Sequence, residues 1–207
     1  MLQSCRLYII VDRDTLAQRD VFKITEKVLR AGADIIQLRD KVACDRDFLL
    51  CARTLGRIVK KYRRLFIVND RVDIAYAAGA DGVHIGREDM PLAEVRRIMK
   101  KKIIGVSTHS MGEALKAQKE GADYIGIGPI YKTSTKKTGI RLGTDILARL
   151  GKAITIPFFA IGGITTTNID KIKAKGCTRI AVASSVITAR HVERVTASLK
   201  KILLEER

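Results

Sequence analysis

Gly32-Ala33-Asp34-Ile35-Ile36-Gln37-Leu38-Arg39-Asp40-Lys41 carries a glycine turn, a branched apolar run and a polar cluster in unbroken succession. Glycine can take the left-handed conformation that closes a helix, and the run after it has the make-up of a strand buried on both faces. The polar cluster falls where that strand would end. The opening recurs: Gly79-Ala80-Asp81 and Gly121-Ala122-Asp123 precede further branched runs, and Gly176-Cys177-Thr178 takes the same place before another.

Working outward, branched runs at 7–11, 34–38, 65–68, 82–85, 103–106, 124–127, 157–161 and 179–182 alternate with longer amphipathic stretches. That alternation is the mark of repeated βα units. Glycine turns also serve open doubly wound sheets, but their return at every second strand favours closure. The fold class is therefore α/β, a single (β/α)8 TIM barrel, with 1–207 as one domain.

In a parallel barrel all strands point their carboxyl ends at one face, so distant clusters converge there. The clusters are Gln37 to Lys41, Asn69-Asp70, Ser107-Thr108-His109, Gly128-Pro129 through Lys136, Gly162-Gly163 and Ser184-Ser185. Strand alternation sends Gln37, Arg39 and Lys41 one way and Leu38 the other. Two neighbouring cations suit a polyanion, Arg39 as a bidentate donor and Lys41 as a point charge. A surface ion-pair cluster with Asp40 and Asp45 would also account for them.

Asp70 and Asp89 follow adjacent strands and could share a hard cation. Magnesium takes one or two carboxylates and keeps its waters and substrate oxygens as its other ligands. Asp70 could instead cap a helix starting near Arg71, and Glu88 competes with Asp89. One of Ser107, Thr108 and His109 is expected to cap the helix beginning near Ser110. The stretch 131–142 reads as a loop over the site, its hydroxyls and Lys136 forming an anion cradle. Gly162-Gly163 and Ser184-Ser185 stand where barrels hold a phosphate monoester.

Composition narrows the partners. No apolar run approaches the roughly 20 residues of a membrane span, and the amino-terminal residues lack the pattern of a signal peptide. The expectation is a soluble cytoplasmic protein without a membrane partner. Cys5, Cys44, Cys51 and Cys177 have neither zinc-site nor redox spacing and read as reduced packing residues. The formal charge of +17 invites a nucleic-acid reading. Its basic runs, Lys60 to Arg64 and Lys100 to Lys102, lack the interleaved aromatics that stack on bases, so small phosphorylated substrates are the expected partners and nucleic acid is not. A homo-oligomer is only a general expectation.

The ordered set of Gln37-Leu38-Arg39-Asp40-Lys41, Val68-Asn69-Asp70, Gly105 to His109, Gly128-Pro129-Ile130 with Thr133 to Lys136, and Ala160 to Ile164 resembles the thiamine phosphate synthase family, over about 7–187. The resemblance implies a transferase that couples hydroxymethylpyrimidine diphosphate to thiazole phosphate with release of diphosphate. By position, Gln37, Leu38, Arg39, Asp40, Lys41, Asn69, Ser107 and Lys136 would hold the pyrimidine diphosphate. Thr133, Ser134, Thr135, Gly163, Ala183 and Ser184 would hold the thiazole phosphate, and Asp70 and Asp89 the magnesium. Arg39, Lys41, Lys136 and Ser107 would act on the reacting groups. Two departures stand out: Lys132 replaces the usual loop proline, and Val11 replaces the threonine before the first-strand aspartate. Lys137 offers a second candidate for the diphosphate lysine. Runner-up readings are a thiazole tautomerase of the same superfamily, with His109 as acid-base group, and a non-catalytic binder of a thiamine precursor.

Overall fold

Along every strand the residues alternate between a face turned into the barrel and a face turned to the helices, as a pleated chain requires. The structure is a computed structural model that describes residues 2–133 and 141–205. Its strands are β1 (Leu7–Asp12), β2 (Ile35–Arg39), β3 (Leu65–Asn69), β4 (Gly82–Ile85), β5 (Ile103–Thr108), β6 (Tyr124–Ile127), β7 (Phe158–Ile161) and β8 (Ile180–Val182). They pair in sequence order, all parallel, and close into a barrel where Leu7 of β1 meets Ile180 of β8. All the expected strands are present, with ends displaced by one or two residues. The β5 strand runs on through Ser107, which is therefore a strand residue.

The strands are joined by helices α1 (Arg13–Leu16), α2 (Val21–Arg30), α3 (Asp45–Lys61), α4 (Val72–Ala77), α5 (Leu92–Met99), α6 (Met111–Lys119), α7 (Asp145–Ala153), α8 (Ile169–Lys173), α9 (Ser184–Ile187) and α10 (Val192–Leu204). Among the described residues, no helix is long and apolar enough to cross a membrane. The larger core lies between barrel and helices, where Ile9, Val11, Ile36, Leu38 and Val68 meet Val28, Ala52, Leu55 and Val59. Full burial of one such aliphatic side chain contributes about 1.5–3 kcal/mol.

The inner core is smaller and aromatic. Tyr8 and Tyr124 set their rings edge-on against Phe159, with centroids 5.4 and 5.6 Å away. Room for Tyr124 comes from Gly105 on the adjacent strand, since a Cβ there would sit 2.0 Å from the tyrosine ring.

At the amino-terminal rim each Gly-Ala-Asp unit makes the same clamp. The carboxylates of Asp34, Asp81 and Asp123 accept the backbone N–H of Leu7, Phe66 and Ile104 at 3.0, 2.8 and 2.7 Å. Each aspartate returns its own N–H to the carbonyl of the same residue at 2.9 Å. The glycine therefore turns the chain out of the helix, and the aspartate two residues later locks the new strand to its predecessor.

Cys5, Cys51 and Cys177 are buried, as packing residues should be, and burial foremost raises each thiol pKa, that of Cys5 to about 11. Cys44 departs from that expectation. It is exposed, just ahead of α3.

Candidate active site

A cavity of about 520 Å³ opens at the carboxyl ends of the strands, and Gln37, Asn69, Ser107, Gly128, Gly163 and Ser184 all line it. The barrel thus unites one residue from each of six clusters. Its wall at β2 is cationic. Arg39 is held by Asp12, with Nη1 2.6 Å from Oδ2, while the other oxygen of that buried carboxylate accepts the N–H groups of Asp14 and Thr15 at the start of α1. Arg39 also lines the cavity. Lys41 pairs with the carboxylate of Asp70, so neither cation makes the surface cluster with Asp40 and Asp45.

Asp70 has φ of 59°, a left-handed conformation rare for a side-chain-bearing residue. Its N–H donates to the His84 carbonyl at 2.7 Å, which fixes the strained turn. It does not cap α4, whose N-cap is Arg71 without a side-chain cap. Asp89 accepts the Gly86 N–H at 2.6 Å, and its pKa is raised, first by burial and then by the neighbouring Asp70 carboxyl. Glu88 points elsewhere, toward Arg87, and is almost fully exposed. Asp70 and Asp89 therefore form a crowded carboxylate pair beside an ammonium. Among the described residues no group of three or more His, Cys, Asp or Glu side chains could hold a metal. A two-carboxylate donor set fits magnesium, which completes its shell with water and substrate oxygens.

Leu38 and Asp40 stand apart from the cavity by their side chains. Leu38 lies in the outer core because strand parity turns it opposite to Gln37. Asp40 is turned back on its own loop. Burial works against its charge, but the N–H groups of Ala43 and Val42 and the Arg13 guanidinium bring its pKa below the ordinary value.

The expected helix cap after β5 is Ser110, whose Oγ accepts the Glu113 N–H at 3.1 Å, and not one of its three predecessors. Thr108 donates to the Gly126 carbonyl, and His109 is engaged by Glu113 through both its N–H and Nδ1 at 2.7 and 3.2 Å. Ser107 faces the cavity.

The opposite wall is neutral backbone. Gly163 has φ of 64°, and a Cβ there would lie 2.4 Å from the Lys132 carbonyl, so the chain at this point can only be glycine. Thr133, Ala183 and Ser184 complete that side, with Ser184 opening α9. Tyr131 and Leu142 anchor the loop ends through hydrogen bonds to Gly162 and Pro129 at 3.0 and 2.9 Å. Ser134, Thr135, Lys136 and Lys137 lie outside the described residues.

Sequence reasoning missed the floor. Tyr8, Tyr124 and His84 run beneath the cavity between Gln37 and Ser107 in a line of hydrogen bonds. The available signal was His84, a polar residue at the inward parity of an otherwise apolar strand.

The family model described as thiamine monophosphate synthase matches residues 7–186. The thiamine-phosphate synthase of Halalkalibacterium halodurans is 41% identical over 208 residues, covering 100% of this chain and 98% of that one. That of Shouchella clausii is 42% identical over 200 residues, with 96% of each chain covered. Among solved structures, a thiamine phosphate pyrophosphorylase from Pyrococcus furiosus superposes with a TM-score of 0.88 at 38% identity, over 96% of this chain and 95% of that one.

Proposed function

The chain belongs to the thiamine monophosphate synthase family, and on that premise we propose that it joins hydroxymethylpyrimidine diphosphate to thiazole phosphate, giving thiamine phosphate and diphosphate. The observation that carries the reading is one cavity with two unlike anion-binding ends. Arg39 and Asn69 line one end, Asn69 preceding the Asp70 that pairs with Lys41, and the Gly163 and Ser184 backbone lines the other. A diphosphate suits the first end and a monoester the second.

In the reaction, the bond between the pyrimidine methylene carbon and the diphosphate oxygen breaks, and its electron pair leaves with the diphosphate. The thiazole nitrogen then captures the carbon. No nucleophile from the protein is needed. Arg39 offers parallel N–H donors to the phosphate oxygens while Asp12 fixes its far side, and Lys41 adds a point charge. Ser107 and Lys136 contribute further donors, with Gln37 and Asn69 beside the pyrimidine. Asp70 and Asp89 would hold magnesium, which when bound supplies positive charge against the leaving diphosphate. Thr133, Ser134 and Thr135, with Gly163, Ala183 and Ser184, hold the thiazole phosphate. The 131–142 loop keeps water from the reactive carbon. The whole chain is taken to act as one soluble, cytoplasmic barrel domain.

The test is product formation from the two substrates, in magnesium and in chelator, with diphosphate and thiamine phosphate both followed. Magnesium-dependent coupling is expected. Binding of thiazole phosphate without coupling under any metal condition would overturn the reading.

A further inference from the structure

The floor of the cavity is continuous. Gln37 Nε2 lies 2.7 Å from the Tyr8 hydroxyl, which lies 2.9 Å from that of Tyr124. The Tyr124 oxygen is 3.0 Å from Nδ1 of His84, and Nε2 of the same ring is 2.9 Å from Ser107 Oγ. This line crosses the barrel interior and joins two cavity-lining residues on separate strands. Glycines on the strands between make space for it. Gly105 admits the Tyr124 ring, and a Cβ at Gly126 would come to 3.4 Å from His84 Cε1.

Counting protons gives the line a direction. An amide nitrogen only donates, so the Tyr8 oxygen accepts from Gln37. Both phenols are deeply buried, and burial raises their pKa, so each keeps its single proton. Tyr8 must then pass its proton toward Tyr124, and Tyr124 its own toward Nδ1 of His84. A nitrogen that accepts carries no hydrogen, so the neutral ring holds its proton on Nε2 and donates to Ser107. The Ser107 oxygen is thereby used as acceptor, and its hydroxyl hydrogen is left to point into the cavity.

We infer that Tyr8, Tyr124 and His84 form a directional hydrogen-bond wire that presents Ser107 to the cavity as a hydrogen-bond donor. These three are positioning residues, acting through Ser107. With the wire reversed, the serine proton would be drawn to His84 and Ser107 would face an anionic leaving group with lone pairs alone. The use made of the donor rests on the synthase reading. The direction of the wire does not, and it is readable in the protein without substrates.

Nitrogen-15 spectra of the histidine-labelled full chain give the tautomer of each ring, and the chain has only three histidines. His84 is expected with hydrogen on Nε2 and an accepting Nδ1. Gln37→Glu, with the new carboxyl ionised, can only accept from Tyr8, so every bond in the line should reverse and the His84 hydrogen should move to Nδ1. Adding Tyr8→Phe to Gln37→Glu cuts the line and should return the hydrogen to Nε2. A wild-type ring protonated on Nδ1, or a tautomer indifferent to Gln37→Glu, overturns the wire. Should the Gln37 variants fail to fold, Tyr124→Phe tests the same link with an isosteric ring. It should shift the Nδ1 resonance to that of an unbonded acceptor and lower kcat about 10- to 100-fold, while KM for thiazole phosphate stays within about twofold. An unmoved Nδ1 resonance overturns the wire. Failure of thiamine phosphate formation in the wild type, with the tautomers as expected, would instead remove the synthase reading and leave the wire standing.

Discussion

Asp12 performs two tasks that a single substitution can separate. Its carboxylate caps α1 and also fixes Arg39, and only the second task needs its charge. Asp12→Asn keeps an acceptor for the helix N–H groups, so kcat/KM for the pyrimidine diphosphate should fall about tenfold with the fold retained. Asp12→Ala removes the cap as well and should lose about 1 kcal/mol more in denaturant titration than the asparagine variant. Equal stability of the two variants would refute the division. Asp89 presents the opposite electrostatic case. Burial and the adjacent Asp70 carboxyl raise its folded-state pKa above the ordinary 3.8, so the folded protein binds this proton more tightly than the unfolded chain does. Stability attributable to Asp89 therefore falls as pH rises through the window above 3.8. In metal-free protein, Asp89→Asn should raise Tm at neutral pH, with the advantage vanishing in strong acid. The same change should depress turnover far more than thiazole phosphate affinity. An identical Tm for both proteins across the pH range would contradict the assigned shift.

At the scale of the strand, the aspartate of the Gly-Ala-Asp unit is the residue whose purpose the sequence concealed. Glycine announces a turn by its own chemistry, so the period of the repeat could be read from Gly32, Gly79, Gly121 and Gly176, and the strands themselves from the branched runs. What Asp34, Asp81 and Asp123 hold is a backbone N–H on the preceding strand, and that depends on register. Asp123→Ala would strand the Ile104 N–H, and it would also free Arg96 from its 2.7 Å bond. A loss of about 1–3 kcal/mol is expected by chemical denaturation, with kcat of the folded enzyme unchanged. A stability within experimental error of wild type would show that water replaces the clamp. The floor was concealed for a related reason. Tyr8 and Tyr124 have the composition of ordinary strand residues, and only barrel closure brings their hydroxyls together. Asp70 and Asp89 could be paired in the sequence because they follow adjacent strands, Asp70 at once and Asp89 within a few residues, whereas coordinates were needed to show that Asp89 and not Glu88 neighbours Asp70.

Across the whole molecule, charge and closure have separate consequences. A formal charge of +17 surrounds a cavity meant for anions, so the field should speed capture of the diphosphate substrate. Raising ionic strength from low salt to well above physiological should reduce its kcat/KM by roughly tenfold while kcat at saturation holds. A kcat/KM flat with salt would separate the basic surface from substrate capture. The sequence made the cation excess plain but not its distribution: the basic runs 60–64 and 100–102 come just before β3 and β5, at the amino-terminal rim, whereas the β2 cluster stands at the opposite, carboxyl end of the barrel. Closure itself joins Leu7 to Ile180 and ties Lys200 of the last helix to Asp34 beside the second strand. During synthesis β1 is therefore made long before its final neighbour, and a nascent sheet keeps two open, apolar edges until nearly all the chain has emerged. The interval before ring closure is when association with other unfinished chains competes with folding, so yield in the cell depends on how that first edge is sheltered.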